Sequence, residues 1–207
     1  MLQVNHKTTR ETPLGRVTII RTEIRGAPRI TRILLPDRMP SPGRQRRIAN
    51  AWPGDPRESP ASPPSSGACP DPHASSHAEI DAVIAGIVAM LQGERRTLPL
   101  DSLDLGACSQ FQRRVLRATC EIPWGRVSTY RLVARHLSGK PDGARAVGNA
   151  LASNPFPLII PCHRVIRSDG ALGGYGGGWE MKYALLRGEG VSFDEAGTVP
   201  DPCYAFP

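Results

Sequence analysis

The sequence has no apolar run that approaches the roughly 18 residues of a membrane-spanning helix, and its N-terminus carries no stretch typical of a signal peptide. It has no C-x-x-C pair, and its cysteine count is odd, which disfavours a disulfide framework. We therefore expect a soluble, cytoplasmic protein of a reducing compartment. The five cysteines are Cys69, Cys108, Cys120, Cys162 and Cys203.

Acidic residues are fewer than basic ones. Nineteen Asp and Glu stand against 26 Lys and Arg, which gives a net charge of +7 and a pI of about 9.6. Such a surplus suits a polyanionic partner such as nucleic acid, although charge alone does not identify one. With 207 residues, 40% of them hydrophobic, the chain has room for one sizeable domain or two small ones.

Clusters of metal-ligating residues are scarce as well. The one candidate spacing joins Cys69, His73 and His77, which supply only three ligands. Pro70 and Pro72 prevent a regular helix through this stretch, so the spacing cannot place the three side chains on one helical face. We predict no metal site.

Residues 13–35 have the chemistry of β-strands. Two β-prone groups are separated by Gly-Ala-Pro at 26–28, which is typical of a turn. The pattern predicts a hairpin, and we assign residues 1–35 to a reduced N-terminal β region. The β-prone residues are Val17, Ile19, Ile20, Ile30, Ile33, Leu34 and Leu35.

The next stretch is rich in proline and arginine. Ten of the 21 prolines fall within residues 36–72, together with serine and glycine. Such a composition cannot bury enough apolar area to offset the entropy of ordering. We predict a disordered insertion or linker over 36–76. Its arginines could attract phosphate, but a solvated linker is the interpretation we favour.

Helical periodicity begins after this stretch. Ser76 and Glu79 form a capping-box pattern before a helix predicted over about 77–92. The pattern recurs at Ser109 and Gln112, and this second helix ends near Pro123. The apolar residues of the second helix are Phe111, Val115 and Leu116.

Two further helices are predicted to form a helix-turn-helix. Ser128 or Thr129 caps the first, a glycine-bearing turn at 140–143 follows, and one apolar face marks the second. A last helix is predicted over 179–187, and the polar tail after Ser192 is expected to have no fold of its own. The second helix of the pair has Ala144, Val147, Gly148 and Leu151 on one face.

The stretch 157–166, Pro-Leu-Ile-Ile-Pro-Cys-His-Arg-Val-Ile, delivers a cysteine and a histidine side by side. Pro157 and Pro161 stiffen the run, and a cysteine held rigidly beside an imidazole is a candidate nucleophile. Free cysteine is also among the most buried residue types, so Cys162 as a small structural hydrophobe is the alternative. On an extended strand, Cys162 and His163 would point to opposite faces.

This stretch resembles the O6-alkylguanine-DNA alkyltransferase family, whose signature is Pro-Cys-His-Arg-Val, here at 161–165. The resemblance runs from about residue 111 to 190 and extends weakly upstream to about 77. It implies an alkyltransferase domain over 77–192 for DNA binding and catalysis, with a tail over 193–207. Matching segments in family order are 111–112, 122–125, 129–130, 145–148, 154–155, 161–166, 174–175 and 177–178.

The resemblance implies direct-reversal DNA repair. Cys162 would accept a methyl or other alkyl group from O6-alkylguanine in double-stranded DNA, once per molecule and without a cofactor. O4-alkylthymine is a second candidate substrate. His163 would act as base through a water molecule, Glu189 would orient the imidazole, and Asn154 would be a hinge. We expect a monomer.

The remaining site residues also come from the resemblance. The second helix of the pair would enter the minor groove, where Ala144 and Gly148 give close approach. Arg145 would fill the space of the extruded nucleotide, and Tyr130 would lie near the target phosphate and base. The substrate pocket would be formed by Tyr130, Pro157, Val165, Tyr175 and Gly176.

Taken together, these expectations give an α+β fold. A mostly helical C-terminal domain with a winged-helix-like helix-turn-helix comes after the reduced β region. Two residues depart from the family pattern. Leu116 stands where a bulky aromatic residue is common, and Gly176 stands where some relatives have serine.

Three other functions compete with repair. A lesion sensor of this family would lack the cysteine, which is present at position 162. A helix-turn-helix regulator would use Cys162 only for structure. A cysteine hydrolase needs a histidine distant in sequence, and the only other histidine in the matched region, His136, lies on the helix-turn-helix.

Overall fold

The computed structural model describes residues 5–24, 26–36, 76–200 and 206. Apart from Pro36 and Ser76, the insertion or linker predicted over 36–76 lies outside these residues, with Cys69 and His73 in it, and so does Cys203. Of residues 76, 77 and 79 the backbone is described and the side chains are not, so the capping box at Ser76 stays a prediction. In the described part of the chain, no helix is long and apolar enough to cross a membrane.

The N-terminal region is a three-stranded antiparallel sheet. β1 (Asn5–Thr12), β2 (Gly15–Ile24) and β3 (Ala27–Leu34) are neighbours in that order. The β2–β3 hairpin confirms the prediction over 13–35, whereas β1 was not predicted. Its sequence, NHKTTRET, is polar and mostly exposed, so no apolar alternation marks it as a strand.

A β-bulge interrupts the β2–β3 pairing. Ile20 pairs with Arg32, but the next residue, Arg21, pairs with Ile30, so Thr31 is an extra residue in β3. Strict alternation would place Ile30 and Arg32 on the same face of the sheet. The bulge instead lets Ile30 and Ile33 both face the core and leaves Arg32 exposed on the outer face.

The helices confirm the predicted pattern with small shifts at their ends. Ser109 caps the second of them, accepting a hydrogen bond from the Gln112 backbone N–H at 3.2 Å. The Gln112 side chain does not complete a capping box; it donates to Ala150 O and Ser153 O. The helices are α1 (Ser76–Leu91), α2 (Gln110–Cys120), α3 (Tyr130–Ser138), α4 (Ala144–Ala152) and α5 (Gly178–Gly188).

The predicted pair of helices is α3 and α4. Thr129 caps α3 by accepting from the Leu132 N–H at 3.1 Å, and Gly139 ends it in the left-handed conformation with φ 72°. A 3-10 turn, Pro141–Gly143, connects α3 to α4. Two short strands, β4 (Ser128–Thr129) and β5 (Val165–Ile166), pair in parallel beside them.

One apolar core joins the sheet to the helices. Buried side chains of β2, β3, α1, α2, α3 and α4 form a single cluster with those of the segment before Cys162. Backbone hydrogen bonds cross the same boundary, because Ile33 N–H donates to Pro155 O at 2.8 Å. The sheet is therefore fixed against the segment that carries the candidate nucleophile. The buried residues of that segment include Phe156, Leu158, Ile159 and Ile160.

Residues 193–200 of the tail form no helix or strand, in line with the prediction, but they pack against the rest of the domain. Val199 N–H donates to Gly170 O at 3.0 Å, and its side chain is buried in a second apolar cluster. Phe193 packs on Tyr183 with ring centroids 4.5 Å apart. Polar residues dominate this stretch, but its few apolar side chains find partners on α5 and on the loop after β5.

Gly125 should be more sensitive to substitution than Gly139, although their φ angles are nearly equal, at 74° for Gly125 and 72° for Gly139. A Cβ on Gly125 would lie 2.8 Å from Glu189 O, whereas a Cβ on Gly139 would meet nothing within 4 Å. Gly139→Ala should cost about 1 kcal/mol of unfolding free energy from its backbone conformation alone. Gly125→Ala should cost clearly more in urea unfolding, and equal costs would contradict the close approach.

Candidate active site

The segment that carries Cys162 is held by tight local contacts. Ile160 N–H donates to Phe156 O at 2.9 Å, and Cys162 N–H donates to Ile160 O at 2.7 Å. Leu158, 1% exposed, adopts φ 77°, a conformation that costs a non-glycine residue roughly 1–2 kcal/mol. Burial of the side chains around it offsets this strain, so the segment persists in a conformation that an isolated peptide would avoid.

Asn154 connects this segment to the end of α4. Its side-chain oxygen accepts from Phe156 N–H at 2.9 Å, and its amide donates to Ile160 O at 3.2 Å. The same amide donates to Cys162 Sγ at 3.2 Å. One side chain therefore fixes both ends of the segment and contacts the sulfur.

Cys162 does not lie on an extended strand. Cys162–Arg164 forms one 3-10 turn, so the expectation that Cys162 and His163 point to opposite faces of a strand is wrong. The cause is the backbone of the preceding segment, which delivers the chain into a turn before β5 begins at Val165. All three side chains of the turn are buried.

His163 bonds Glu189 through one nitrogen only. Nε2 lies 2.8 Å from Glu189 Oε1, and the buried Nδ1 has no hydrogen-bond partner in the described part of the chain. An ionised carboxylate only accepts hydrogen bonds, so Nε2 carries the proton of the neutral ring. The Nδ1 lone pair is therefore available as a base. Burial lowers the pKa of His163 despite the opposing charge of Glu189, which favours this neutral form.

Glu189 directly follows α5 as its C-cap, and three donors approach its carboxylate: His163, Arg164 and the Gly125 N–H. Arg164 Nε donates to its Oε2 at 2.8 Å, and Gly125 N–H approaches the same oxygen at 3.3 Å. Burial acts to raise the pKa of Glu189. The interaction with His163, which is electrostatic once that ring is protonated in acid, and the hydrogen bonds and charge of Arg164 outweigh burial and lower the pKa to about 2. Sequence reasoning missed Arg164 as a site residue, although it belongs to the motif that carried the resemblance.

The thiol of Cys162 is protonated at rest. Burial raises its pKa, and the hydrogen bond from Asn154 and the charge of Lys182 only partly oppose this. The unperturbed thiol would already be only about 3% ionised at pH 7, so the buried one is less so. Reaction therefore requires a base, and the neutral His163 is adjacent in the same turn.

Lys182 is a second residue that sequence reasoning missed. It is 0% exposed, and its ammonium donates to Val165 O at 2.7 Å and to Leu172 O at 2.5 Å. Burial lowers its pKa to about 8. The available signal was the position of Lys182 in the predicted helix, three residues after Trp179 and four before Leu186, both of them apolar.

Cys162 lines a cavity of about 1000 Å³. Its exposed fraction is 8%. The cavity brings together Tyr130, Gly148, Asn154, Pro157, Tyr175 and Gly176 of the predicted site. Gly174 and Gly176 have no atoms within 4 Å of a Cβ position, so the loop leaves space beside the sulfur. Residues of the N-terminal sheet also line it.

Three predicted site residues lie elsewhere. Val165 was predicted to line the substrate pocket, but it is 0% exposed, belongs to the apolar core and pairs with Ser128 in β4, so it is not among the cavity-lining residues. Ala144 and Arg145 begin α4, where Arg145 is exposed, and neither lines the cavity. Within the described residues, no group of three or more His, Cys, Asp or Glu could hold a metal ion.

The Glu189 cluster predicts acid sensitivity. Because the folded-state pKa of about 2 lies below the ordinary 4.5, the carboxylate stabilises the fold above pH 4.5 and loses this contribution as the pH falls toward 2. The free energy of unfolding should fall by on the order of 3 kcal/mol when this contribution is lost. Glu189→Gln should remove this part of the pH dependence in urea unfolding, whereas Glu180→Gln, an exposed change on the same helix, should retain it. An unaltered pH dependence in Glu189→Gln would contradict the ion pairs.

The sequence is similar to those of known proteins over the region that carries the candidate site. A family profile described as "6-O-methylguanine DNA methyltransferase, DNA binding domain" matches residues 110–191. The methylated-DNA--protein-cysteine methyltransferase of Methanothermobacter thermautotrophicus is 47% identical over 115 residues, 56% of this chain and 64% of that protein. The mouse protein of the same name is 40% identical over 144 residues, 66% of this chain and 65% of that one. The chain therefore spans less than two thirds of these relatives.

A solved structure extends the likeness to the N-terminal sheet. The crystal structure of Mycobacterium tuberculosis OGT in complex with DNA superposes with a TM-score of 0.59 at 31% identity. The match covers 89% of this chain and 93% of that one. Because this relative is matched over nearly its whole length and the profile covers the Cys162 segment and Glu189, the chain belongs to the O6-methylguanine-DNA methyltransferase family.

Proposed function

We propose that this protein repairs DNA by direct reversal, transferring an alkyl group from guanine O6 to Cys162 in one irreversible step. The observation that carries the proposal is the position of Cys162 Sγ. It lies at the wall of a cavity and accepts a hydrogen bond from Asn154. The next residue is His163, whose Nε2 is hydrogen-bonded to Glu189. Family membership agrees with this chemistry.

The base must leave the duplex before it can react. A guanine O6 substituent in stacked DNA is out of reach of a side chain, so the nucleotide is extruded at a cost of a few kcal/mol. The cavity accepts the purine between Tyr130 and the loop of Gly174 and Gly176, where open space surrounds the glycines. The alkyl transfer needs no cofactor, because the cysteine itself accepts the group.

The transfer is a displacement at the alkyl carbon. The S–H bond of Cys162 breaks and its proton passes to His163 Nδ1 through a water molecule. The sulfur bonds the alkyl carbon, the C–O6 bond breaks, and guanine leaves with the electron pair and takes up the proton. Glu189 stabilises the transient imidazolium. Since little thiolate exists at rest, alignment supplies the larger contribution, for which positioning can give roughly 7–11 kcal/mol.

We infer that α3 and α4 are the helix-turn-helix, in a winged-helix-like domain over 77–192 that comes after a reduced β region over 1–35. α4 enters the minor groove, and Arg145 at its start takes the place of the extruded nucleotide. A Cβ added to Gly148 would have the Tyr130 ring as its nearest neighbour, at 3.9 Å, which is an ordinary van der Waals contact. Packing within the chain therefore does not demand glycine there, which favours close approach by DNA.

Methyl uptake tests the proposal directly. Incubation with duplex containing O6-methylguanine should add the mass of one methyl group, in place of one hydrogen, to each intact protein molecule. Cys162→Ala should add none, whereas Cys120→Ala, which removes a half-buried thiol, should react as the wild type does. No mass gain, with tight lesion binding, would indicate a sensor; sequence-specific binding without lesion preference would indicate a regulator.

Asn154→Ala should slow the reaction and shift its pH dependence. In the wild type, the Asn154 amide donates to the sulfur and stabilises the thiolate. A hydrogen bond to a charged group contributes roughly 1.5–3 kcal/mol, and the variant loses it. We expect a single-turnover rate roughly 10- to 100-fold lower at neutral pH, recovering toward higher pH. The free base O6-benzylguanine as substrate excludes effects on DNA binding.

The matched control is Asn149→Ala, the same change on the exposed side of α4. Its rate and pH profile with the free base should equal those of the wild type. A slower Asn154→Ala with an unshifted pH profile would mean that the amide only supports the fold and does not stabilise the thiolate.

A further inference from the structure

The cavity at Cys162 has a second wall, formed by the outer face of the N-terminal sheet. Five residues of this face line the same cavity as the sulfur, together with residues of α4, of the segment after it and of the glycine loop. The strand register places them beside one another, because Glu11 pairs with Arg16 and Thr18 with Leu34. We refer to them as the sheet wall: Glu11, Arg16, Thr18, Arg32 and Leu34.

The bulge in β3 places Arg32 on this wall. Without Thr31 as the extra residue, Arg32 would share the face of the fully buried Ile30. A bulge re-aims the side chains after it, and here it leaves the guanidinium exposed beside the cavity. A charged side chain is therefore directed to the cavity by a local backbone feature.

The charge of the sheet wall is not neutralised. Arg16 Nε bonds Glu11 Oε1 at 2.8 Å, with both side chains about 70% exposed. Arg32 has no ion pair in the part of the chain that the structure describes. Glu11 is the only acidic side chain among the described residues that line the cavity. The guanidinium of Arg32 and the exposed side chain of Leu34 thus line the cavity that also contains Cys162.

We propose that the sheet wall is a second contact surface for DNA, on which Arg32 binds a backbone phosphate adjacent to the extruded nucleotide. The inference rests on the proposed function. The volume of about 1000 Å³ exceeds what one alkylated base fills, so sugar and phosphate reach the far wall. A guanidinium matches a phosphate through two parallel hydrogen bonds, and the apolar surface of Leu34 can cover a deoxyribose.

Salt dependence measures this contact. Duplex DNA with O6-methylguanine is titrated into the unreactive Cys162→Ala protein and into its double variant with Arg32→Gln. Each lost phosphate contact should lower the slope of log K against log salt by about 0.9. Undamaged duplex should show the same change, since a phosphate contact carries no base information.

Matched variants separate this contact from a general loss of charge. Arg29→Gln removes the same charge from the same strand, but Arg29 lines a different cavity, against α1. Its salt slope should stay at the parent value. Glu11→Gln releases Arg16 and should tighten binding, whereas Glu23→Gln, an exposed change on β2, should not. If Arg32→Gln or Glu11→Gln behaves as its control does, the proposal is overturned.

Reaction rates with two substrates distinguish a phosphate contact from a contact with the base. With Cys162 present, the ratio of the rate on lesion duplex to the rate on free O6-benzylguanine should fall about 3- to 10-fold in Arg32→Gln. An equal fall in both rates would mean that Arg32 contacts the base or its substituent, which overturns the proposal. Failure of the wild-type protein to take up methyl would instead refute the proposed function.

Discussion

The carboxylate of Glu189 joins the parts on which the candidate site depends. It accepts from His163 and from Arg164 at 2.8 Å each, and the Gly125 amide approaches it at 3.3 Å. The end of α5, the 3-10 turn and the loop before β4 therefore meet at one buried group. Burying a carboxylate is costly unless charged donors surround it, and the lowered pKa indicates that here the donors outweigh the burial.

Arg164 makes this arrangement possible. Without Arg164, the buried Glu189, less than 5% exposed, would have only the 3.3 Å approach of the Gly125 N–H at its Oε2. Arg164 donates to that oxygen, and it is held in turn by Ile122 O at 2.8 Å and by the Trp124 ring at 5.5 Å. The carboxylate can then keep Nε2 protonated and leave Nδ1 as the base. The order Cys-His-Arg thus combines nucleophile, base and counter-ion in one turn.

A resting thiol and a neutral imidazole agree with the proposed reaction, in which each molecule reacts once. Thiolates are the form that oxidants attack, so a buried thiol with a raised pKa is protected until a substrate arrives. The same burial lowers the pKa of His163 and keeps it able to accept a proton. Reactivity then depends on alignment by Asn154 and the strained segment at Leu158, and less on prior ionisation.

Local signals in the sequence predicted the elements whose ends are set locally. Ser109 and Thr129 cap their helices as expected, because a cap is a hydrogen bond within one turn. β1, the packing of residues 193–200 and the 3-10 turn at Cys162 were missed. β1 has no apolar alternation and is defined by its pairing with β2. The turn is held by contacts of Asn154, and Val199 is held by the Gly170 loop, and no local sequence signal marks either contact. The predicted cavity residues came from the family resemblance, which did not indicate the burial of Lys182 or that residues of the sheet line the cavity.

The sheet wall shows why a motif cannot define the whole site. The family profile covers residues 110–191, and Arg16 and Arg32 lie far outside it. They reach the cavity because the sheet shares a core with the Cys162 segment and because Ile33 N–H donates to Pro155 O, one residue after Asn154. A bulge of one residue then decides which face Arg32 occupies. Chemistry fixed by the motif can therefore be combined with a nucleic-acid contact that varies independently, through single residues of a small sheet.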